Sequence, residues 1–203
     1  DSSLARRMLS SRFLDSFLAL DENAQTIRCG AGVSLDAILK LCIPRGLFLK
    51  VVPGTRFVTV GGAIAADVHG KNHHQDGSFC DYVQNFSLML ASGEIVICSE
   101  EENSELFHAT CAGMGLTGVI VDATIALEKL SSASIRQHSL VANNLKECFE
   151  LLEANNGSKY SVAWLDCLSR GDELGRSLLF LGEHDEENES RAKLKYRSRG
   201  GPG

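Results

Sequence analysis

The stretch Val52-Pro53-Gly54-Thr55-Arg56-Phe57-Val58-Thr59-Val60-Gly61-Gly62-Ala63-Ile64-Ala65-Ala66-Asp67-Val68-His69-Gly70-Lys71-Asn72-His73-His74 decides the reading of this chain. It sets small residues into an apolar, β-branched run and then turns polar. Pro53-Gly54 reads as a turn, and Phe57 to Ala66 as a β-prone stretch interrupted by Gly61-Gly62. Gly61, Gly62, Ala63, Ala65 and Ala66 keep side-chain bulk off the backbone, so a flat ligand can approach main-chain N–H and C=O groups directly. A planar cofactor suits such a surface. Close strand packing, or a bulge in a buried sheet, would ask for the same glycines.

The polar end, His69 to His74, supports three readings. His69 and His73 with Asp67 or Asp76 have the donor types of a zinc or iron site. Pro53, Gly70 and Gly77 give no sign of a helix that would bring the two imidazoles together. Histidines at the surface or capping a core are the second reading, which suits His73 and His74 better than His69. The third is a redox or acid/base pocket in which His69 and Lys71 follow a glycine-rich approach, since imidazole titrates near neutrality.

Upstream, Thr26 to Gly32 reads as a strand ending in glycines. Ser34 is a helix N-cap, and Leu35, Ile38, Leu39 and Cys42 form one apolar face that Pro44 and Gly46 terminate. Leu47 to Val52 is a further apolar run. Downstream, Phe86 to Leu90 and Ile95 to Cys98 flank Ala91-Ser92-Gly93-Glu94 as a hairpin. Ser104 is expected to cap a helix through Ala112, and Val119 to Leu127 is a strong strand. Between them Gly113-Met114-Gly115-Leu116-Thr117-Gly118 matches G-x-G-x-x-G letter for letter. A dinucleotide fingerprint follows a strand and opens a helix, whereas here a helix precedes the glycines and a strand follows them. A boundary is placed near Leu130. Beyond it come a strand (Ser134 to Val141), a helix with Leu145, Cys148, Phe149 and Leu152 on one face, and strands near Tyr160 to Leu165 and Ser177 to Leu181.

The chain has 203 residues, 44% of them hydrophobic, which is enough for a sizeable core. A formal net charge of −6 with scattered basic residues, save around Lys193, Lys195, Arg197 and Arg199, speaks against a nucleic-acid partner. No apolar stretch approaches the ~20 residues of a transmembrane helix. Seven cysteines without a C-x-x-C pair suggest neither a zinc ribbon nor a disulfide framework.

Pro53-Gly54-Thr55-Arg56 through His69-Gly70-Lys71-Asn72-His73-His74, followed by Gly77-Ser78-Phe79, resembles the decaprenylphosphoryl-ribose 2′-oxidase group of FAD-linked oxidases, in the vanillyl-alcohol oxidase/p-cresol methylhydroxylase superfamily. Supporting matches run from Ala31-Gly32-Val33-Ser34-Leu35 through Gly115-Leu116-Thr117-Gly118-Val119-Ile120 to Ser161-Val162-Ala163-Trp164-Leu165-Asp166. The resemblance implies an α+β chain: a PCMH-type FAD-binding domain over residues 1–130, then the start of an α+β substrate domain over 131–203.

The same resemblance implies a non-covalently held FAD contacted by Gly54, Thr59, Val60, Gly61, Gly62, Ala66, Asp67, Val68, His69, Gly118 and Ile120. His69 would lie beside the flavin, Lys71 would face the substrate as a fixed positive charge, and amides near Gly61-Gly62 would polarise the ring. It implies no metal. The activity would be oxidation of a secondary alcohol of a sugar or polyprenyl-phosphate-linked sugar in bacterial cell-wall metabolism, with a reductase as further partner and a cytoplasmic place near the membrane. The family's N-terminal diphosphate loop, Gly-Arg-Ser-x-Gly-Asp, would be represented only by Asp1, and its C-terminal Tyr and Lys would lie beyond Gly203. The rivals are a fragment that holds no cofactor and a metal-binding protein using Asp67, His69 and His73.

Overall fold

The computed structural model describes residues 9–185. Its spine is β6 (Val119–Lys129), a β-branched run in which Ala123, Ile125 and Leu127 alternate into the core. Antiparallel to it run β2 (Thr26–Gly30), β3 (Leu47–Leu49) and β4 (Val83–Met89); β1 (Phe17–Asp21) extends the sheet beyond β2, and β5 (Ile95–Ser99) beyond β4. The register of β4 against β6 shifts between Ser87 and Leu88. On the other side of β6 the β2 register continues past Gly30, where Ala31 N donates to Val121 O at 2.9 Å.

Helix α1 (Leu35–Cys42) covers the sheet. Ser34 Oγ accepts from Ala37 N at 3.2 Å at its start, and Leu35, Ile38, Leu39 and Cys42 are buried. Each of the three aliphatic side chains contributes on the order of 1.5–3 kcal/mol by leaving water. The helix runs into a 3₁₀ turn at Ile43–Arg45, which ends where Gly46 takes φ 70°. Nearer β5, α4 (Ser104–Thr110) stacks Phe107 on Phe86 in the same core, with ring centroids 5.2 Å apart.

A second antiparallel sheet, ordered β7-β9-β8, comprises β7 (Ile135–Ala142), β8 (Tyr160–Leu165) and β9 (Ser177–His184). Helix α5 (Leu145–Ala154) packs on it around a small core of Ala142, Cys148 and Leu179. The mixed α+β class expected from the sequence is what the chain forms. Among the described residues no helix is long and apolar enough to cross a membrane.

Four local expectations need correction. The β-prone stretch at 57–66 contains helix α2 (Val60–Ala65), because Thr59 adopts an extended N-cap conformation and its Oγ1 accepts from Gly62 N at 3.2 Å. The cap of α4 is Asn103, not Ser104; Asn103 sits at φ 51°, and its Nδ2 donates to Ile97 O. The histidine segment does form a helical turn, α3 (His73–Asp76). Strand β1 was not expected, because its Phe17-Leu18-Ala19-Leu20-Asp21 faces mostly outward and carries no alternation. Asp1, the remnant of the expected diphosphate loop, and the basic tail from Lys193 lie outside the described residues.

Candidate cofactor site

The glycines of the central stretch divide into two kinds. A Cβ on Gly61 would stand 3.0 Å from Ala31 Cβ; on Gly70, 2.5 Å from Asn72 Oδ1 and 2.8 Å from Val52 O; on Gly118, 2.6 Å from Met89 O. Those three allow backbones to pack closely. A Cβ on Gly54 would meet nothing within 4 Å, and one on Gly62 only Thr59 Oγ1 at 3.2 Å. These two are bare for another reason. Gly62 and Ala66 are exposed one helical turn apart on α2, while Val60, Ala63 and Ile64 face the core. With Thr59 and His69 they make a smooth ledge.

The ledge is held rigidly. Leu35 N donates to Val58 O at 3.0 Å, Val60 N to Val33 O at 2.8 Å and Gly61 N to Ala31 O at 2.8 Å. Arg56 Nε donates to Asp36 Oδ1 at 2.6 Å, fixing the approach to the ledge on the first turn of α1. The expectation that amides of Gly61 and Gly62 polarise a ligand is corrected here. Both donate inside the protein, to Ala31 O and Thr59 Oγ1. Val60 and Ile120 bury their side chains, which leaves only their backbones to a cofactor.

Asp67 has φ 40° and serves as a brace. Its Oδ2 accepts from Ser78 Oγ at 2.8 Å and its Oδ1 from Cys80 N at 2.9 Å. Val68 O accepts from Phe79 N, so residues 78–80 hold 67–69 in place. His69 and His73 lie with ring centroids 5.2 Å apart, each with Nδ1 on Gly70 O, at 3.4 and 3.3 Å. Donation to a carbonyl puts the proton on Nδ1 of both rings. Asp76, the other carboxylate of the metal reading, accepts from Asn72 Nδ2 at 2.8 Å and pairs with Lys50 Nζ at 3.6 Å. Among the described residues no group of three His, Cys, Asp or Glu side chains is arranged to hold a metal.

Lys71 is exposed, and beside it Asn72 is buried to 1% and donates to Lys50 O at 2.8 Å as well as to Asp76. Lys71 and Gly54 line a cavity of about 440 Å³ between the two sheets. Phe48, Val52, Val162 and Phe180 supply apolar wall, and Gln137, Tyr160 and His184 supply polar groups. Tyr160 O–H and His184 Nε2 are 3.0 Å apart, and His184 Nδ1 is 2.9 Å from Ser132 O. The imidazole therefore donates through Nδ1 and accepts from the phenol. Burial pushes the Tyr160 pKa up, with the charges of Glu128, Asp76 and Glu183 adding to it. Burial works against the charge of Lys50, but Tyr82, Asp76 and Glu128 outweigh it and its pKa is raised. The Tyr160–His184 wall escaped the sequence reading, because only the β8–β9 register, Tyr160 opposite Gly182, brings it to the cavity.

The G-x-G-x-x-G string sits between α4 and β6, in the order helix, glycines, strand. Its loop folds onto the end of α2, where Ala112 N donates to Ile64 O at 3.1 Å and Met114 N to Ala65 O at 2.8 Å. Residues 6–99, which hold the ledge and its supports, match the model of a family described as FAD binding domain. Over these residues the chain carries an FAD binding domain. FAD is thus the cofactor implied, and a flat ring over Gly54 or Gly62 would meet no side chain of those residues. The chain is 38% identical over 187 residues, 90% of its length, to a decaprenylphosphoryl-β-D-ribose oxidase of Mycolicibacterium smegmatis, of which it spans 40%. It is 35% identical over 81% of its length to an uncharacterised protein of the mprA 5′ region of Streptomyces coelicolor, spanning 45% of that protein. A third relative, an uncharacterised oxidoreductase of the fasciation locus of Rhodococcoides fascians, is 35% identical over 57% of this chain and is spanned to 26%. The chain therefore covers less than half the length of each of these relatives.

Proposed function

We propose that this chain is the flavin-facing part of an FAD-dependent oxidoreductase that oxidises a secondary alcohol of a polyprenyl-phosphate-linked sugar to a ketone. Residues 1–130 form the FAD-binding domain and 131–203 begin the substrate domain, whose sheet supplies one wall of the cavity. FAD, held without a covalent bond, supplies the hydride acceptor. The backbone along Gly54, Thr59, Gly62 and Ala66 gives the ring a surface with no side chain in the way. His69 flanks it with its Nδ1 proton already committed to Gly70 O.

The observation that carries this reading is the position of Lys71, which follows the ledge directly and lines a cavity whose other walls are mostly apolar. The Lys71 ammonium attracts the hydroxyl under oxidation, or an anionic group beside it, while the apolar wall excludes water and strengthens the attraction. The test uses the full-length enzyme with a polyprenyl-phosphate-linked ribose. Lys71→Met should retain its flavin spectrum while flavin reduction by that sugar slows by about 10²-fold or more. Reduction at the wild-type rate would sink the role of Lys71, and a full-length protein recovered without flavin would sink the reading as a whole.

A further inference from the structure

Oxidising an alcohol to a ketone removes a hydride from carbon and a proton from oxygen. On the function proposed above, on which this inference rests, the hydride goes to the cofactor and the proton is left in a cavity with mostly apolar walls. Something must carry it out. Of the described residues that line the cavity, Lys50 and Lys71 are ammonium groups without an acceptor, and Gln137 is no base. His184 alone among them offers a basic nitrogen. That nitrogen, Nε2, accepts from Tyr160 O–H at 3.0 Å, while Nδ1 donates to Ser132 O at 2.9 Å. Phe48 packs T-shaped on the imidazole, with centroids 5.8 Å apart, and holds the ring in place.

His184 also lines a second hollow. This is a recess of about 470 Å³ with Glu128, Lys129, Arg136, Lys159 and Glu183 in its walls. One imidazole therefore stands between an apolar cavity and a charged recess.

We propose that Tyr160 and His184 form the path by which the alcohol proton leaves the cavity, with Tyr160 touching the substrate hydroxyl and His184 accepting the proton. The Ser161 amide donates to Lys71 O at 2.9 Å, so the residue after Tyr160 is tied to the one whose ammonium attracts that hydroxyl. As the C–H bond gives up its electron pair with the hydride, the hydroxyl proton passes to the phenol oxygen and the phenol proton to His184 Nε2. Tyr160 ends as it began, the substrate is a ketone, and His184 is an imidazolium that loses its proton to water in the recess. A relay of this kind never requires a free phenolate, which burial and the charges of Glu128, Asp76 and Glu183 disfavour. Glu128 and Glu183 favour the imidazolium. Lys50, Lys71 and Lys129 oppose it, as do Lys159 and Arg136, which are paired with Glu128 at 3.0 Å and Asp185 at 2.7 Å.

The test uses the full-length flavoprotein and the polyprenyl-phosphate-linked ribose. In nuclear magnetic resonance of protein with isotope-labelled histidine, His184 should carry its proton on Nδ1, and Tyr160→Phe should shift the Nε2 resonance. Flavin reduction in the wild type should slow towards acid pH, where His184 is protonated beforehand and cannot accept. Tyr160→Phe and His184→Gln should keep the flavin spectrum, slow its reduction by about 10²-fold or more, and lose that acid limb. A purely structural role would leave the shape of the pH profile unchanged. His184 protonated on Nε2, a wild-type rate that does not fall in acid, or a wild-type rate in Tyr160→Phe would overturn the proposal and leave the flavin reading standing. Wild-type flavin that the sugar fails to reduce would overturn both. The tautomer and the wild-type pH profile decide the matter even where a variant fails to fold.

Discussion

The backbone carbonyl of Lys71 accepts a hydrogen bond from the amide of Ser161 at 2.9 Å. Ser161 lies on β8, the edge strand of the second sheet, so that edge docks two residues beyond His69. Neighbouring contacts repeat the pattern. His74 Nε2 donates to Ser158 O at 2.9 Å, Gln75 Nε2 to Asn156 O at 2.9 Å, and Lys159 Nζ reaches both carboxylate oxygens of Glu128 at 3.0 Å. Together they set where Tyr160 and Val162 stand relative to the Lys71 ammonium.

The two glycines of the Gly61-Gly62 pair should respond differently to valine. At Gly61 the new Cβ meets Ala31, fixed by its own hydrogen bonds, and overpacking there should cost about 1–3 kcal/mol. At Gly62 it meets only Thr59 Oγ1, and neither glycine has a positive φ, so the apoprotein should melt close to wild type. Flavin content should behave in the opposite sense, with Gly62→Val losing it. Flavin absorbance and apoprotein melting, measured on both full-length variants, separate the effects; a Gly62→Val protein with full flavin content would refute the ledge.

Asn72→Ala should destabilise the fold by about 1–3 kcal/mol, because it strips two hydrogen bonds from a buried site and leaves Lys50 O unpaired. Urea midpoints measure it. A loss below a few tenths of a kcal/mol would mean that the amide is not the tie between the ledge and β3.

Stability should fall as the solution becomes alkaline. Burial pushes the Cys29 thiol up to about 12, with Cys42 and Asp122 adding to it, and burial pushes Cys42 up to about 11, with Arg45 opposing. The ordinary value is 9.0. Above it the unfolded chain releases protons that the folded chain keeps, so stability present below pH 9 is lost as pH rises towards 11 and 12, by up to ~1.4 kcal/mol per unit for each thiol. Cys29→Ala should flatten this slope in urea titrations at rising pH, and an unchanged slope would count against burial as its cause.

Much of this was legible in the sequence, and what escaped shares a cause. Leu35, Ile38, Leu39 and Cys42 announce α1 because a local period reports a face. The β6 run and the hairpin at Gly93, which has φ 88°, are equally local. Helix α2 was hidden because Val58-Thr59-Val60 has strand propensity, and it is the pairing of Val60 and Gly61 amides with Val33 and Ala31 that sets the turn. The glycines at 54, 61, 62 and 70 signal close approach but not by what. Only the fold tells Gly61, against Ala31, from Gly62, against open space. The Tyr160–His184 wall depends on residues 24 positions apart, and no periodicity records such a contact.

The tie between Lys71 and Ser161 can be cut by itself. β8 is an edge strand and the Ser161 amide points away from β9, so proline at 161 removes this bond without breaking the β8–β9 ladder. Ser161→Pro should cost the fold about 1 kcal/mol, the net worth of one hydrogen bond, plus whatever strain the fixed φ of proline adds. Ser161→Ala keeps the amide and should leave the protein unchanged. In the full-length enzyme, flavin content should stay at the wild-type level in both variants, because the turn at Val60 and Gly61 is held by Val33 and Ala31 and not by β8. Flavin reduction by a polyprenyl-phosphate-linked sugar should slow in the proline variant alone, since a Lys71 free to shift by about 1 Å can cost about 10²-fold in rate. Equal rates in the proline and alanine variants would show that β8 does not position Lys71.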